Sequence, residues 1–169
     1  MNYNHQEQEY LLFERGIKPA IFLYGKKEGE EIIKAKELIQ KGFSYSEEHF
    51  EHVPDAIGYF VFQDEKKKEK FDNSEKSTYD CGIALGFPPN ACKYYQESVS
   101  QKIDKRSSIA VAYHGLFFGT LIDTLEEDIS WLEKQYQIPD EIKQTIYLSV
   151  KYNRQKHFRK AEEIKNIKK

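Results

Sequence analysis

Only two cysteines, Cys81 and Cys92, occur in 169 residues. That is too few for the dense pairing of a secreted disulfide scaffold, so reduced thiols are expected. With nine glycines and five prolines, the chain has no Pro/Gly/Ser linker to divide it, and no internal repeat is visible. No apolar run approaches the ~18 residues a membrane helix requires. The N-terminal MNYNHQEQEY is polar and acidic where a secretory signal is basic and then apolar, so a soluble, cytoplasmic chain with no membrane contact is expected. Neither sign of charge dominates: 26 Lys and Arg face 28 Asp and Glu, a formal net charge of -2. This balance speaks against whole-molecule attraction to nucleic acid. Gly82-x-x-x-Gly86 lacks the G-K-[ST] ending of a phosphate loop and has the wrong spacing for a dinucleotide fingerprint.

Aromatic residues are abundant. Twelve Tyr, eleven Phe and one Trp make up 14% of the chain and offset a mean hydropathy of -0.77, because each ring removes a large area from water. At this length roughly 70% of the unfolded surface can be buried, so a single compact domain over residues 1–169 with an aromatic core is expected. Plentiful Lys, Ile, Tyr, Phe and Asn, all with AT-rich codons, point to a low-GC bacterium or its phage.

Local patterning gives the expected elements. A helix over 6–15 stops at Gly16, AIFLYG at 20–25 reads as a buried strand, and EEIIKAKELIQKG places Ile32, Ala35 and Ile39 on one helical face before Gly42. A helical turn over 46–53 precedes IGYFVFQ at 57–63, which is apolar on both faces and so a central strand. The two strands and the helix between them form a β-helix-β unit, right-handed if the strands are parallel. Residues 64–80, DEKKKEKFDNSEKSTYD, are too charged to offset ordering entropy by burial and read as a mobile surface loop. A helix begins at Pro88 or Pro89. IAVAYHGLFFGTLI at 109–122 reads as two strands around a His114-Gly115 hairpin turn, with one straight strand as the alternative. Thr124 and Glu127 then suggest a capping box for a helix that buries Leu125, Ile129, Leu132 and Tyr136. Asp140 is expected to cap a C-terminal helix over 140–166, with Ile142, Ile146 and Val150 inward. The order points to an α+β fold in which helices pack on one small mixed sheet of about four strands.

The stretch CGIALGFPPNAC, 81–92, combines both thiols with a helix start. Cys92 in a first turn, beside Lys93, would have its thiolate favoured by the helix dipole. His114 would then serve as the base for Cys92 or Cys81, oriented by Asp80 or Asp123. The plainer reading is that both cysteines are packing residues in a turn. GFPPN also suits the rim of a small-ligand pocket, with Gly86, Phe87, Asn90 and Tyr113 as candidate contacts. His49 and His52, three apart on the expected helical turn, offer two nitrogens to a metal, with Glu48 or Asp55 and a third ligand from His5, His114 or His157. Two local nitrogens do not make a metal centre, and an exposed polar turn is the preferred reading. KYNRQKHFRK supplies Lys151, Arg154, Lys156, Arg159 and Lys160, suited to phosphates or to an acidic partner such as DTLEED at 123–128.

With no catalytic signature, the leading expectation is a non-catalytic accessory or regulatory domain that binds a protein partner or small ligand. A cysteine-dependent hydrolase or transferase using Cys92 or Cys81 with His114 is the rival. Nucleic-acid binding through the basic C-terminal segment is third. These residues point to no particular cofactor.

Overall fold

In the computed structural model, residues 5–100, 108–144, 146–150 and 154–158 are described. They form an α+β fold with two separate antiparallel sheets. Strands β1 (Ala20–Lys26), β2 (Ser44–His49) and β3 (Ala56–Phe62) make the first, in the order β1-β3-β2. The second, in the order β5-β4-β6-β7, contains β4 (Ser108–Tyr113), β5 (Leu116–Leu121), β6 (Ile146–Val150) and β7 (Arg154–Phe158). The α+β class is as expected, but two antiparallel sheets replace the single mixed sheet.

The first sheet is organised by β3, whose seven residues are all buried. Alternation sends Ile57, Tyr59 and Val61 toward Ile32, Ala35 and Leu38 of helix α2 (Glu30–Gln40). Phe60 and Phe62 face the other way, onto Phe71. β1 and β3 are antiparallel rather than parallel. The crossover through α2 joins β1 to β2, both antiparallel to the strand between them. The helical turn expected at 46–53 is therefore corrected: 44–49 is an edge strand whose one buried residue, Ser46, donates to Asp72 Oδ1 at 2.5 Å.

The mobile loop expected over 64–80 is also corrected. Helix α3 (Glu65–Asp72) starts where the Asp64 carboxylate accepts the Lys67 N–H at 2.9 Å, and Lys68 lies within 2.9 Å of Asp72 four residues on. Its anchor is Phe71, with ring centroids 4.6 Å from Phe60 and 5.5 Å from Phe62. One well-buried ring with a cap and ion pairs along the exposed face is enough to order a segment of that charge. Helix α4 (Thr78–Ala84) follows, opened by a Ser77–Asp80 capping box.

Around the second sheet, α5 (Pro89–Val99) and α6 (Leu125–Gln135) cover one core: Ala91, Leu125, Ile129 and Leu132 join Val111, Leu116, Phe118, Ile146 and Leu148. The β4–β5 turn is the two-residue hairpin, with φ 47° at His114 and 101° at Gly115. The capping box expected at Thr124 is not formed. Thr124 is helical and its hydroxyl donates to Leu121 O at 3.3 Å instead. The helix expected over 140–166 is corrected as well. A short 3-10 turn (Asp140–Ile142) leads to β6, which pairs with β4 and β7. The Ile142/Ile146/Val150 spacing competes with a period-two pattern, Ile146 and Leu148 buried with Ser149 exposed, and pairing to β4 decides for strand. Residues 145, 151–153 and 159–166 of that expectation lie outside the described residues.

Helix α1 (His5–Glu14) ties the two layers together: Leu12 enters the core of the second sheet and its neighbour Phe13 that of the first. Among the described residues no helix is long and apolar enough to cross a membrane.

Candidate functional site

The two-cysteine stretch forms a tight helix–helix connection. α4 ends at Leu85, Gly86 turns with φ +80°, and Phe87 N–H reaches back to Gly82 O at 3.0 Å. Pro89 then opens α5, where its missing N–H is harmless. The two helices touch at Gly82, where a Cβ would stand 2.6 Å from Cys92 Sγ. A glycine inside a helix here marks a close approach.

This packing reverses the electrostatics expected of the thiols. Cys92 N–H is taken by Pro88 O at 3.0 Å, and its Sγ donates to Phe87 O at 3.6 Å. Burial, with the charge of Asp128 adding to it, pushes the Cys92 thiol up to about 12. Cys81 donates to Lys76 O at 3.7 Å and is raised by burial and then by the charges of Glu48 and Asp80. Both thiols are held protonated at neutral pH, the opposite of an activated nucleophile.

His114 is elsewhere. At the hairpin tip its Nδ1 accepts Gln144 N–H at 3.0 Å, which places the neutral ring's proton on Nε2, and burial lowers its pKa. Its ring centroid lies 4.5 Å from that of Tyr113. The Asp80 carboxylate accepts from Ser77 N–H at 3.1 Å and from the Ser77 hydroxyl at 2.7 Å. Asp123 lies between β5 and α6. The structure thus brings the two cysteines to one groove, while Asp80 lines a cleft on the other side of α4 and His114 lines neither.

The candidate ligand contacts are also dispersed. Gly86 O accepts the Tyr136 hydroxyl at 2.6 Å, and Asn90 Nδ2 donates to Glu127 at 3.1 Å. Tyr113 belongs to the core of the second sheet, and burial pushes its hydroxyl up to about 12. Phe87 lines the groove between α4, α5 and β5, and Gly86 lines a separate cleft on the other side of α4. His49 is paired with Glu47 at 2.8 Å on strand β2, while His52 sits in the turn beyond, so the shared helical face does not exist. No group of three metal-ligating side chains occurs among the described residues. Of the basic residues, the backbone of Arg154 and Lys156 is in β7, whereas Lys151, Arg159 and Lys160 lie outside the described residues.

What the thiols do share is a groove of about 370 Å³ between α4, α5 and β5. Cys81, Leu85, Phe87, Ala91, Cys92 and Phe118 form its walls with Thr78; Gly82 lets Cys92 approach, and Gly119 admits the Tyr94 ring. Tyr95 and Phe117 also line it, 58% and 53% exposed. Most of its walls come from residues 78–95, around the two-cysteine stretch, and only the side closed by Phe117, Phe118 and Gly119 of β5 is distant in sequence.

A second feature that no expected motif covers is the buried acid Asp128, 1% exposed, on the same helical stripe as Leu125, Ile129 and Leu132. Thr120 donates to its Oδ2 at 2.5 Å, while its buried Oδ1 has no hydrogen-bond partner. An acid on the apolar stripe is a signal the sequence does carry. Burial, against the hydrogen bonds of Thr120, Asn90 and Thr124, raises its pKa from 3.8 to about 6. Between those values the folded state binds the extra proton, so this group makes stability fall as pH rises from about 4 to about 6. Asp64 and Asp72 have lowered pKa values and act in the opposite sense, so the comparison must be differential. Urea titrations of wild type and Asp128→Asn are expected to show the variant gaining about 2–3 kcal/mol relative to wild type from pH 4 to 7. A constant difference across that range would mean Asp128 titrates like an exposed acid.

Comparison with known proteins gives no family model that matches the chain and no significant match among curated proteins or solved structures.

Proposed function

We propose that the protein is a non-catalytic binding domain, of accessory or regulatory type, whose groove over Cys81 and Cys92 takes a small neutral apolar molecule. The observation that carries this reading is the groove itself. Its 370 Å³ falls within the range of roughly 300–1,000 Å³ typical of small-ligand pockets. Its walls are mostly apolar and its aromatic mouth is open to solvent. Protonated thiols behave in it as small apolar surface rather than as nucleophiles, which is why binding is preferred to cysteine catalysis.

Two exposed rings at the mouth, Tyr95 and Phe117, would cover such a ligand. Titration with the neutral dye N-phenyl-1-naphthylamine is expected to raise and blue-shift its fluorescence. Saturating dye should also slow alkylation of the half-buried Cys81 by iodoacetamide. Tyr95→Ala and Phe117→Ala are each expected to weaken the dye by about 1–2 kcal/mol, the worth of an apolar ring face removed from water. An alkylation rate for Cys81 indifferent to saturating dye would overturn the proposal.

A further inference from the structure

We propose that a second cleft, on the opposite face of α4, binds small aromatic anions. Thr78, Cys81, Gly82 and Leu85 face the apolar groove, whereas Tyr79, Asp80, Ile83 and Ala84 face a cleft of about 640 Å³ that also reaches α3 and α6. The helix between them has no buried residue. This site is distinct from the groove and its test has its own reporter, so either can fail alone.

The lining of the cleft fixes the class of ligand. Its cations are Lys67 and Lys70, three residues apart and so neighbours on α3. Lys67 is within 3.2 Å of Asp64, which also caps the helix. Lys70 has no carboxylate partner among the described residues, although Lys68 and Lys76 nearby each have two. The one acid in the lining, Asp80, already accepts two hydrogen bonds from Ser77. Two lysines against one carboxylate leave the lining itself at a net +1, with Lys70 as the cation that favours an anion. Other elements supply rings and apolar carbons, Trp131, perpendicular to Tyr136 at 6.3 Å, with Ile17 and Pro19, and α3 itself adds Phe71. A flat aromatic body stacked against Trp131, carrying a carboxylate, sulfonate or phosphate toward Lys67 and Lys70, satisfies both parts of the lining.

Trp131 is the only tryptophan in the chain, so intrinsic fluorescence reads this cleft. The probe is 8-anilinonaphthalene-1-sulfonate, which shares its ring system with N-phenyl-1-naphthylamine and adds a sulfonate. Binding is expected to quench Trp131 emission as dye emission rises. Removing both charges with K67Q/K70Q should weaken the sulfonate about tenfold, as loss of two partly screened ionic contacts implies. K67R/K70R should restore it. Neither variant should change the affinity of the neutral dye or its protection of Cys81, and both lysines are exposed, so the urea midpoint should hold. Equal sulfonate affinity for wild type and K67Q/K70Q, or bound sulfonate that protects Cys81 while leaving Trp131 emission unchanged, would overturn the proposal.

Discussion

Gly86→Ala is expected to lower folding stability by about 4 kcal/mol, read as a fall in urea midpoint at unchanged m-value. Two costs add. The backbone at Gly86 has φ +80°, a left-handed conformation that costs an L-residue about 1 kcal/mol. The added Cβ would also fall on the Tyr136 hydroxyl and lie 2.7 Å from two carbons of the Pro19 ring. That hydroxyl donates to Gly86 O at 2.6 Å from a tyrosine only 7% exposed. Moving it leaves a buried donor unsatisfied, worth about 1–3 kcal/mol. Gly16 provides the control, since it has φ +71° but no atom within 4 Å of the place a methyl would occupy. Gly16→Ala should therefore cost only the backbone share, about 1 kcal/mol. If the two variants lost the same amount, the Tyr136–Pro19 contact would be soft and the position of α4 loosely held.

The point matters for function because α4 has no buried residue of its own. It stands between the apolar groove and the cationic cleft, fixed at one end by the Ser77–Asp80 capping box and at the other by Gly86 against Tyr136 and Pro19. The shapes of both cavities depend on those two anchors. Gly82 adds a third constraint by admitting Cys92.

Elements whose burial is written in their own residues were legible. The seven-residue run of β3, the helical stripes of α2 and α6, the Pro88-Pro89 helix start and the His114-Gly115 turn all follow from local pattern. Elements held by a partner were not. β2 is polar because it sits at a sheet edge, with apolar contact supplied by β3. α3 hides one anchoring phenylalanine among ion pairs, and α4 is masked by Gly82, whose role is visible only once Cys92 is opposite it. For the site, the rival reading of reactive thiols rests on the helix dipole and the neighbouring Lys93. Burial dominates instead, since desolvation is the largest influence on both cysteines. The aromatic surplus points to a core and does not locate the cavities, because each joins walls from three or more elements.

The second large effect is expected at Glu9, where alanine should cost about 3 kcal/mol at neutral pH, whereas Lys18→Met should cost about 1 kcal/mol or less. Lys18 is fully buried in the link between α1 and β1, its amine 2.9 Å from Glu9, donating to Ala20 O at 2.8 Å and 5.0 Å from the centre of the Phe87 ring. Burial pulls its pKa below the usual lysine value, and the Glu9 charge and hydrogen bond oppose that pull. Removing the carboxylate leaves a buried ammonium with no counter-charge. Methionine at 18 fills a similar volume and leaves the partly exposed Glu9 to water, so the asymmetry between the two variants measures desolvation rather than the pair's net worth. The pH dependence gives a second reading. Where the folded-state pKa lies below the unfolded value of 10.5, the unfolded chain binds the extra proton and stability rises with pH. Loss of Glu9 extends that window downward, so the deficit of Glu9→Ala against wild type should shrink from about pH 7 to about pH 9.5, below the range where tyrosines titrate. A deficit that stayed constant, or a Lys18→Met loss exceeding that of Glu9→Ala, would show that the amine's bonds to Ala20 and Phe87, not the ion pair, hold α1 against both sheets.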